Sequence, residues 1–90
     1  MGQAIVDPAE LRRFAQHLKQ FNQELAERLS VLSGQMANLG DSWRDQEHKK
    51  FVEQFEQQVR LIARSVELTS DHVPFLLRKA DQIEKYLEQR

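Results

Sequence analysis

Gly40-Asp41-Ser42-Trp43-Arg44-Asp45 is the only clear break in the first half of the chain, and it holds the only tryptophan. Long helical patterns flank it on both sides. Glycine can adopt the left-handed conformation that ends a helix without a Cβ clash, so Gly40 is expected to stop the first helix. Asp41 and Ser42 carry short side chains whose oxygens can accept the free N–H groups at the start of the next helix. A turn this short sets two helices side by side and antiparallel. Trp43 is expected on the first turn of the second arm, plugging the closed end of a hairpin.

Upstream of the turn, Asp7-Pro8-Ala9-Glu10 reads as a helix start. Asp7 can cap, Pro8 suits the first helical position, and Glu10 suits a capping box. Met1 to Val6 reads as a short extended arm. From Leu11 the apolar residues fall at Leu11, Phe14, Leu18, Phe21, Leu25, Leu29, Leu32, Met36 and Leu39, always three or four apart. That spacing places them on one face, and that face is expected to meet the second arm. Arg12, Lys19, Gln20, Glu24, Glu27 and Arg28 fill the solvated side, with Glu24 and Arg28 at ion-pair spacing. The predicted helix covers about residues 8–39, or roughly 48 Å.

Downstream, residues 40–44 form the turn and a second helix is predicted from about 45 to 89. Its inward ladder is Val52, Phe55, Val59, Ile62, Val66, Thr69, Val73, Leu76, Ala80, Ile83 and Leu87. Pro74 sits inside that ladder and removes a helical N–H, so a kink or brief interruption is expected there, with Ser70 or Asp71 able to cap a fresh start. The second arm is longer than the first by about 15 residues, or roughly 20 Å. Leu76, Leu77, Ile83, Tyr86 and Leu87 are therefore expected to overhang the open end. Leu61, Leu68 and Phe75 form a second stripe at seven-residue intervals, about 130° from the main ladder. Three apolar residues in line on an exposed side suggest a contact surface. With Leu76 and the overhang, they are the expected dimer interface, symmetric dimers being the commonest assembly.

Composition limits the function classes. Ninety residues make at most one domain, and two arms alone cannot enclose a core, so self-association or a partner is expected. Apolar residues are 40% and charged residues 30%, the balance of a long-helix protein. Thirteen basic and 14 acidic residues are mixed along the chain, with no basic stripe of the kind nucleic-acid binding requires. No run of 18 apolar residues offers a membrane span, and the N-terminus carries no signal-peptide pattern. There is no cysteine, hence no disulfide, thiol nucleophile or thiolate metal site. His17, His48 and His72 lie far apart among polar neighbours. Asp45 and His48 have the i, i+3 spacing that di-iron bundles use in pairs, but only one such pair occurs. No phosphate loop, nucleophile elbow or paired acid is present. The expectation is a protein without catalytic, cofactor or metal site.

With turn and arms placed, the chain resembles the WXG-motif family, the small early-secretory-antigen-like substrates of type VII (ESX-type) secretion systems. The resemblance rests on Ile5-Val6-Asp7-Pro8-Ala9-Glu10-Leu11, on Leu39-Gly40-Asp41-Ser42-Trp43, and on the Phe51 and Phe55 that follow. It implies an all-α antiparallel two-helix hairpin that dimerises into a four-helix bundle and leaves the cell without a cleaved signal. Gly40, Trp43 and Asp45 would form the turn and recognition surface. The partner would be a second copy or a paralogous chain, with a secretion ATPase as receptor. Two positions depart from the pattern. The family's glycine two residues after the tryptophan is Asp45 here, which would instead act at a helix start. The family's export signal pairs a tyrosine with an acid four residues on. Tyr86 is suitably placed, but position 90 is Arg90, and Glu88 is only two residues away. The rival expectation is a cytoplasmic helical adaptor that uses the same surfaces to hold a larger protein.

Overall fold

The computed structural model describes residues 6–89; the expected arm up to Ile5, and Arg90, lie outside them. The described residues form three helices, α1 (Pro8–Leu39), α2 (Gln46–Ser70) and α3 (His72–Glu88), with no strand among them. α1 begins as its sequence dictates: Asp7 is extended, its side chain accepts from the Ala9 N–H at 2.9 Å, and Pro8 stands at the first helical position. α2 and α3 run on with only Asp71 between them, and Asp71 itself keeps helical angles (φ −66°, ψ −21°). Pro74 is the third residue of α3, where an N–H has no partner to lose. The interruption expected near the proline is therefore a single residue. Asp71 stands at the capping position without a side-chain cap bond, while the Ser70 hydroxyl is engaged elsewhere. Together α2 and α3 would extend about 64 Å as a straight rod, close to the 68 Å long axis of the molecule, so the bend is slight.

The two arms pack unevenly. α3 lies against α1 more extensively than α2 does. The fully buried apolar residues are Ala15 and Ala80, with Pro8 and Asn22 also buried, and α2 contributes none. All four belong to the half of the hairpin away from Trp43. Small side chains let the helices approach there, and that approach selects the inward face. Leu11, Ala15, Leu18, Asn22, Leu25, Leu29 and Met36 face inward on α1, buried or half-buried. Phe14 (57% exposed), Phe21 (59%), Leu32 and Leu39 (45% each), expected on that face, point away from it instead. A phenylalanine cannot enter where Ala15 and Ala80 set the spacing, so the helix is rotated to place the alanines inside.

Asn22 is the buried polar residue of the pair. Its amide donates to the Thr69 and Ser70 hydroxyls, each at 3.0 Å, and Thr69 Oγ1 donates back to Asn22 Oδ1 at 3.3 Å. Every partner is satisfied, which is the condition for tolerating such a group. Nearer the open end, the Arg12 guanidinium bridges Glu84 at 2.6 Å and Asp81 at 2.8 Å. Hydrogen bonds to Glu84 and then Asp81 hold Arg12 above the usual arginine range. These bonds place the middle of α3 beside the first turns of α1. The expected overhang is thereby corrected for most of its length: Leu76, Leu77 and Ile83 are half-buried against the hairpin and Ala80 is fully buried, while Tyr86 and Leu87 at the end of α3 stay exposed. The extra length of the second arm is taken up at the other end, where α2 starts beyond the end of α1 and the turn wraps around its tip.

Candidate recognition site: the Trp43 turn and an apolar face

At the end of α1 the N–H groups of Gly40, Asp41 and Ser42 donate three residues back, to Ala37, Asn38 and Leu39. The Trp43 N–H donates to the Leu39 carbonyl at 2.8 Å. These shorter-range bonds tighten the last turn and satisfy carbonyls a helix end leaves free. Gly40 is right-handed (φ −62°, ψ −18°), and no residue among those described has positive φ, so the expected left-handed stop does not occur. Room is what Gly40 supplies instead. A Cβ there would lie 3.2 Å from the Ala37 carbonyl oxygen and 3.6 Å from His48 Cε1. The Gly40 carbonyl accepts from Arg44 Nε at 3.1 Å, closing the loop.

The helix start falls to Asp45. It is extended, and its Oδ1 accepts from the His48 N–H at 3.0 Å. Asp41 and Ser42, the expected caps, are exposed and bond only through their backbone N–H groups. Trp43 consequently stands two residues before the cap, not within the helix, and reaches forward onto its first turns. Its ring lies 5.0 Å from His48 and 5.7 Å from Phe51, and Phe51 lies 5.6 Å from Phe55. All three centroid separations lie within the range over which aromatic rings attract one another. Trp43 and His48 are half-buried, and His48 Nε2 is enclosed without a hydrogen-bond partner among the described residues. Sequence reasoning did not single out His48 as part of the turn. Its position three residues after the cap was the available signal.

Beside this stack, Leu32, Gln35, Met36, Leu39, Phe51 and Phe55 line an open pocket of about 240 Å³. The pocket fixes which side of the hairpin Leu32 and Leu39 share with Phe51. Leu61, Leu68 and Phe75 are displaced from the inward ladder in the same rotational sense as Phe51. They are 63%, 49% and 55% exposed. One apolar face therefore draws on both arms: Phe14, Phe21, Leu32 and Leu39 from α1, with Phe51 and the Leu61–Leu68–Phe75 stripe from α2 and α3. The opposite side carries a shallow groove lined by small residues such as Ala26, Ser30, Ser33 and Ala63. Leu76 lies half-buried on the inward ladder, away from the stripe, and Tyr86 is 58% exposed. Among the described residues no group of three or more His, Cys, Asp or Glu could hold a metal, and no helix is long and apolar enough to cross a membrane.

These features define a class: a small all-helical hairpin whose polar groups serve caps and latches, and whose distinctive surface is a tryptophan turn joined to an apolar face. The family model described as proteins of 100 residues with WXG matches residues 3–88, and the chain belongs to that WXG100 family of small helical, secretion-associated proteins. The motif itself reads Trp43-Arg44-Asp45 here. Comparison with curated proteins and with solved structures returned no match.

Proposed function

We propose that this chain acts as a dimeric helical hairpin in type VII (ESX-like) secretion, either as the exported substrate or as the carrier partner of one, and performs no catalysis. The observation that carries the reading is the continuous apolar face. Its eight side chains, Phe14, Phe21, Leu32, Leu39, Phe51, Leu61, Leu68 and Phe75, are each at least 38% exposed, and such a face on a secretion-associated hairpin calls for a second chain. The partner is a second copy or a paralogous hairpin, and pairing two hairpins makes a four-helix bundle. Leu61, Leu68 and Phe75 belong to the α2–α3 side of that interface, while Leu76, on the inward ladder, would contribute only through the packing of its own hairpin.

The Trp43 turn is the surface offered to the secretion ATPase. Gly40 gives it room, Asp45 fixes its exit, and the aromatic stack presents an apolar tip. Asp45 substitutes for the family glycine by capping α2. Tyr86 is exposed and available to the export signal, though the acid four residues beyond it is replaced by Arg90. A partner that carries the complete signal would complement it. The protein resides in the cytoplasm until export and then outside the cell.

Solution mass tests the assembly. The wild type is expected at twice the chain mass, and Leu68→Glu, which places a charge on the exposed stripe, at the chain mass with helicity retained. A monomeric wild type would move the search to a paralogous partner. Export is tested in the native host with the secretion ATPase present and deleted. Retention in both cases would reject the secretion role in favour of a cytoplasmic adaptor.

A further inference from the structure

In the half of α1 away from Trp43, the apolar stripe does not point at the rest of the hairpin. Leu11, Phe14, Leu18, Phe21 and Leu25 centre on one direction around the helix, and Phe14 and Phe21, on the side away from Asn22, are more than half exposed. The buried residues Ala15 and Asn22 stand about 80° and 60° from that centre, and Arg12 about 140°, all in the same rotational sense. A hairpin packed by apolar burial alone would turn α1 by about 60° and lay the stripe on its own second arm. Polar contacts oppose that turn. It would carry the Asn22 amide away from the Thr69 and Ser70 hydroxyls, each now at 3.0 Å, and swing the Arg12 guanidinium away from Asp81 and Glu84. A buried donor or acceptor left without a partner costs more than its bond contributes, so these contacts hold a rotation that the small side chains permit.

We infer that Asn22, with Thr69 and Ser70, is a positioning cluster for self-association: it holds α1 turned so that Phe14 and Phe21 stay outside their own hairpin and available to a second chain. Asn22 is only 5% exposed and acts through the rotation of α1, not by touching a partner. This role rests on the self-association proposed above and adds what keeps the apolar face open. An apolar residue at position 22 would suit the single hairpin and weaken the assembly, because the rings would then be buried within one chain. Arg12 supports the same rotation from the surface.

The triple variant Asn22→Val/Thr69→Val/Ser70→Ala removes every polar group of the cluster together. No partner is left unsatisfied, and such an exchange is nearly neutral or stabilising where the shapes match. Hairpin stability is measured by chemical denaturation in the Leu68→Glu background, where assembly does not contribute. There the triple variant is expected to unfold at no lower denaturant concentration than its parent. With Leu68 restored, its dimer dissociation constant, read by sedimentation, is expected to rise by about tenfold or more. The rotation itself is read from Ala15→Cys, since the chain has no cysteine of its own. In the Leu68→Glu background that thiol is expected to be shielded from a maleimide reagent, as the fully buried Ala15 is, and to lose the shielding once the cluster is removed. Lower stability in the Leu68→Glu background, an unchanged dissociation constant or an unchanged labelling rate would each overturn the positioning role and leave the cluster a packing contact. A wild type that stays monomeric at every concentration would instead reject self-association itself, while the labelling rate still decides whether the cluster sets the rotation of α1.

Discussion

At the scale of single residues, the turn replaces one solution with another. Where the family motif has glycine, Asp45 accepts the His48 N–H and begins α2. Replacing a capping aspartate by alanine costs about 1 kcal/mol, whereas glycine costs only a few tenths. Asp45→Ala is therefore expected to lower the unfolding free energy by about 1 kcal/mol, and Asp45→Gly to stay within a few tenths of wild type. Chemical denaturation monitored by helical circular dichroism checks both; equal losses would show that the cap bond is not what matters at this position. Gly40 shows the complementary point. A glycine before a tryptophan turn suggested a left-handed stop, but the helix ends right-handed, and a Cβ at this residue would crowd the Ala37 carbonyl oxygen at 3.2 Å, with the His48 ring in ordinary contact beyond it.

At the scale of elements, the contact between α1 and α3 is set by small and polar residues. Ala15 and Ala80 have no exposed surface, so a larger side chain there must push the helices apart. Ala15→Leu is expected to destabilise by about 1–3 kcal/mol, as overpacking of a closed site does. An unchanged melting temperature would mean that the half around Ala15 and Ala80 is not tightly packed. Asn22→Ala removes a buried side chain that both donates and accepts, and a loss of about 1–3 kcal/mol is expected. Amide exchange in that variant should rise first around Thr69–Asp71, where Asn22 ties α1 to the one-residue break. Arg12 latches the far part of α3 from the surface. Its raised proton affinity keeps it charged throughout the neutral range, so its contribution would fade only in strong alkali, as pH passes its raised value. Arg12→Ala is accordingly expected to fray the last turns of α3, read as faster exchange there, with a smaller effect than Ala15→Leu.

At the scale of the whole molecule, a rod of 68 × 22 × 15 Å built from two arms has almost no interior. Its apolar residues must be covered by something outside the chain or remain wet. The arms differ along their length. The half near Asn22 and Ala80 holds together by itself, while the half near Trp43 has apolar walls around an open pocket. Hydrogen exchange is therefore expected to be uneven in any monomeric variant such as Leu68→Glu, slow in α3 and the start of α1, fast in α2 and the end of α1. Uniform protection in that monomer would contradict the uneven packing.

The sequence by itself determined the two arms, the turn between them, the capped start at Asp7 and the mild break before Pro74, because each follows from local spacing and backbone preference. The outward stripe of Leu61, Leu68 and Phe75 was also legible, since seven-residue repeats hold their direction on a helix. Only the tertiary structure decided which side of α1 faces inward. Phe14 and Phe21 fall within the same periodic set as Leu11 and Leu18, and a wheel cannot separate them. The choice lies in the distance between helices, which Ala15, Asn22 and Ala80 set together across more than 50 residues of sequence. The missing overhang has the same origin. Arm lengths counted from the turn cannot show where α2 begins relative to the end of α1, whereas the bonds from Arg12 to Asp81 and Glu84 fix that register directly.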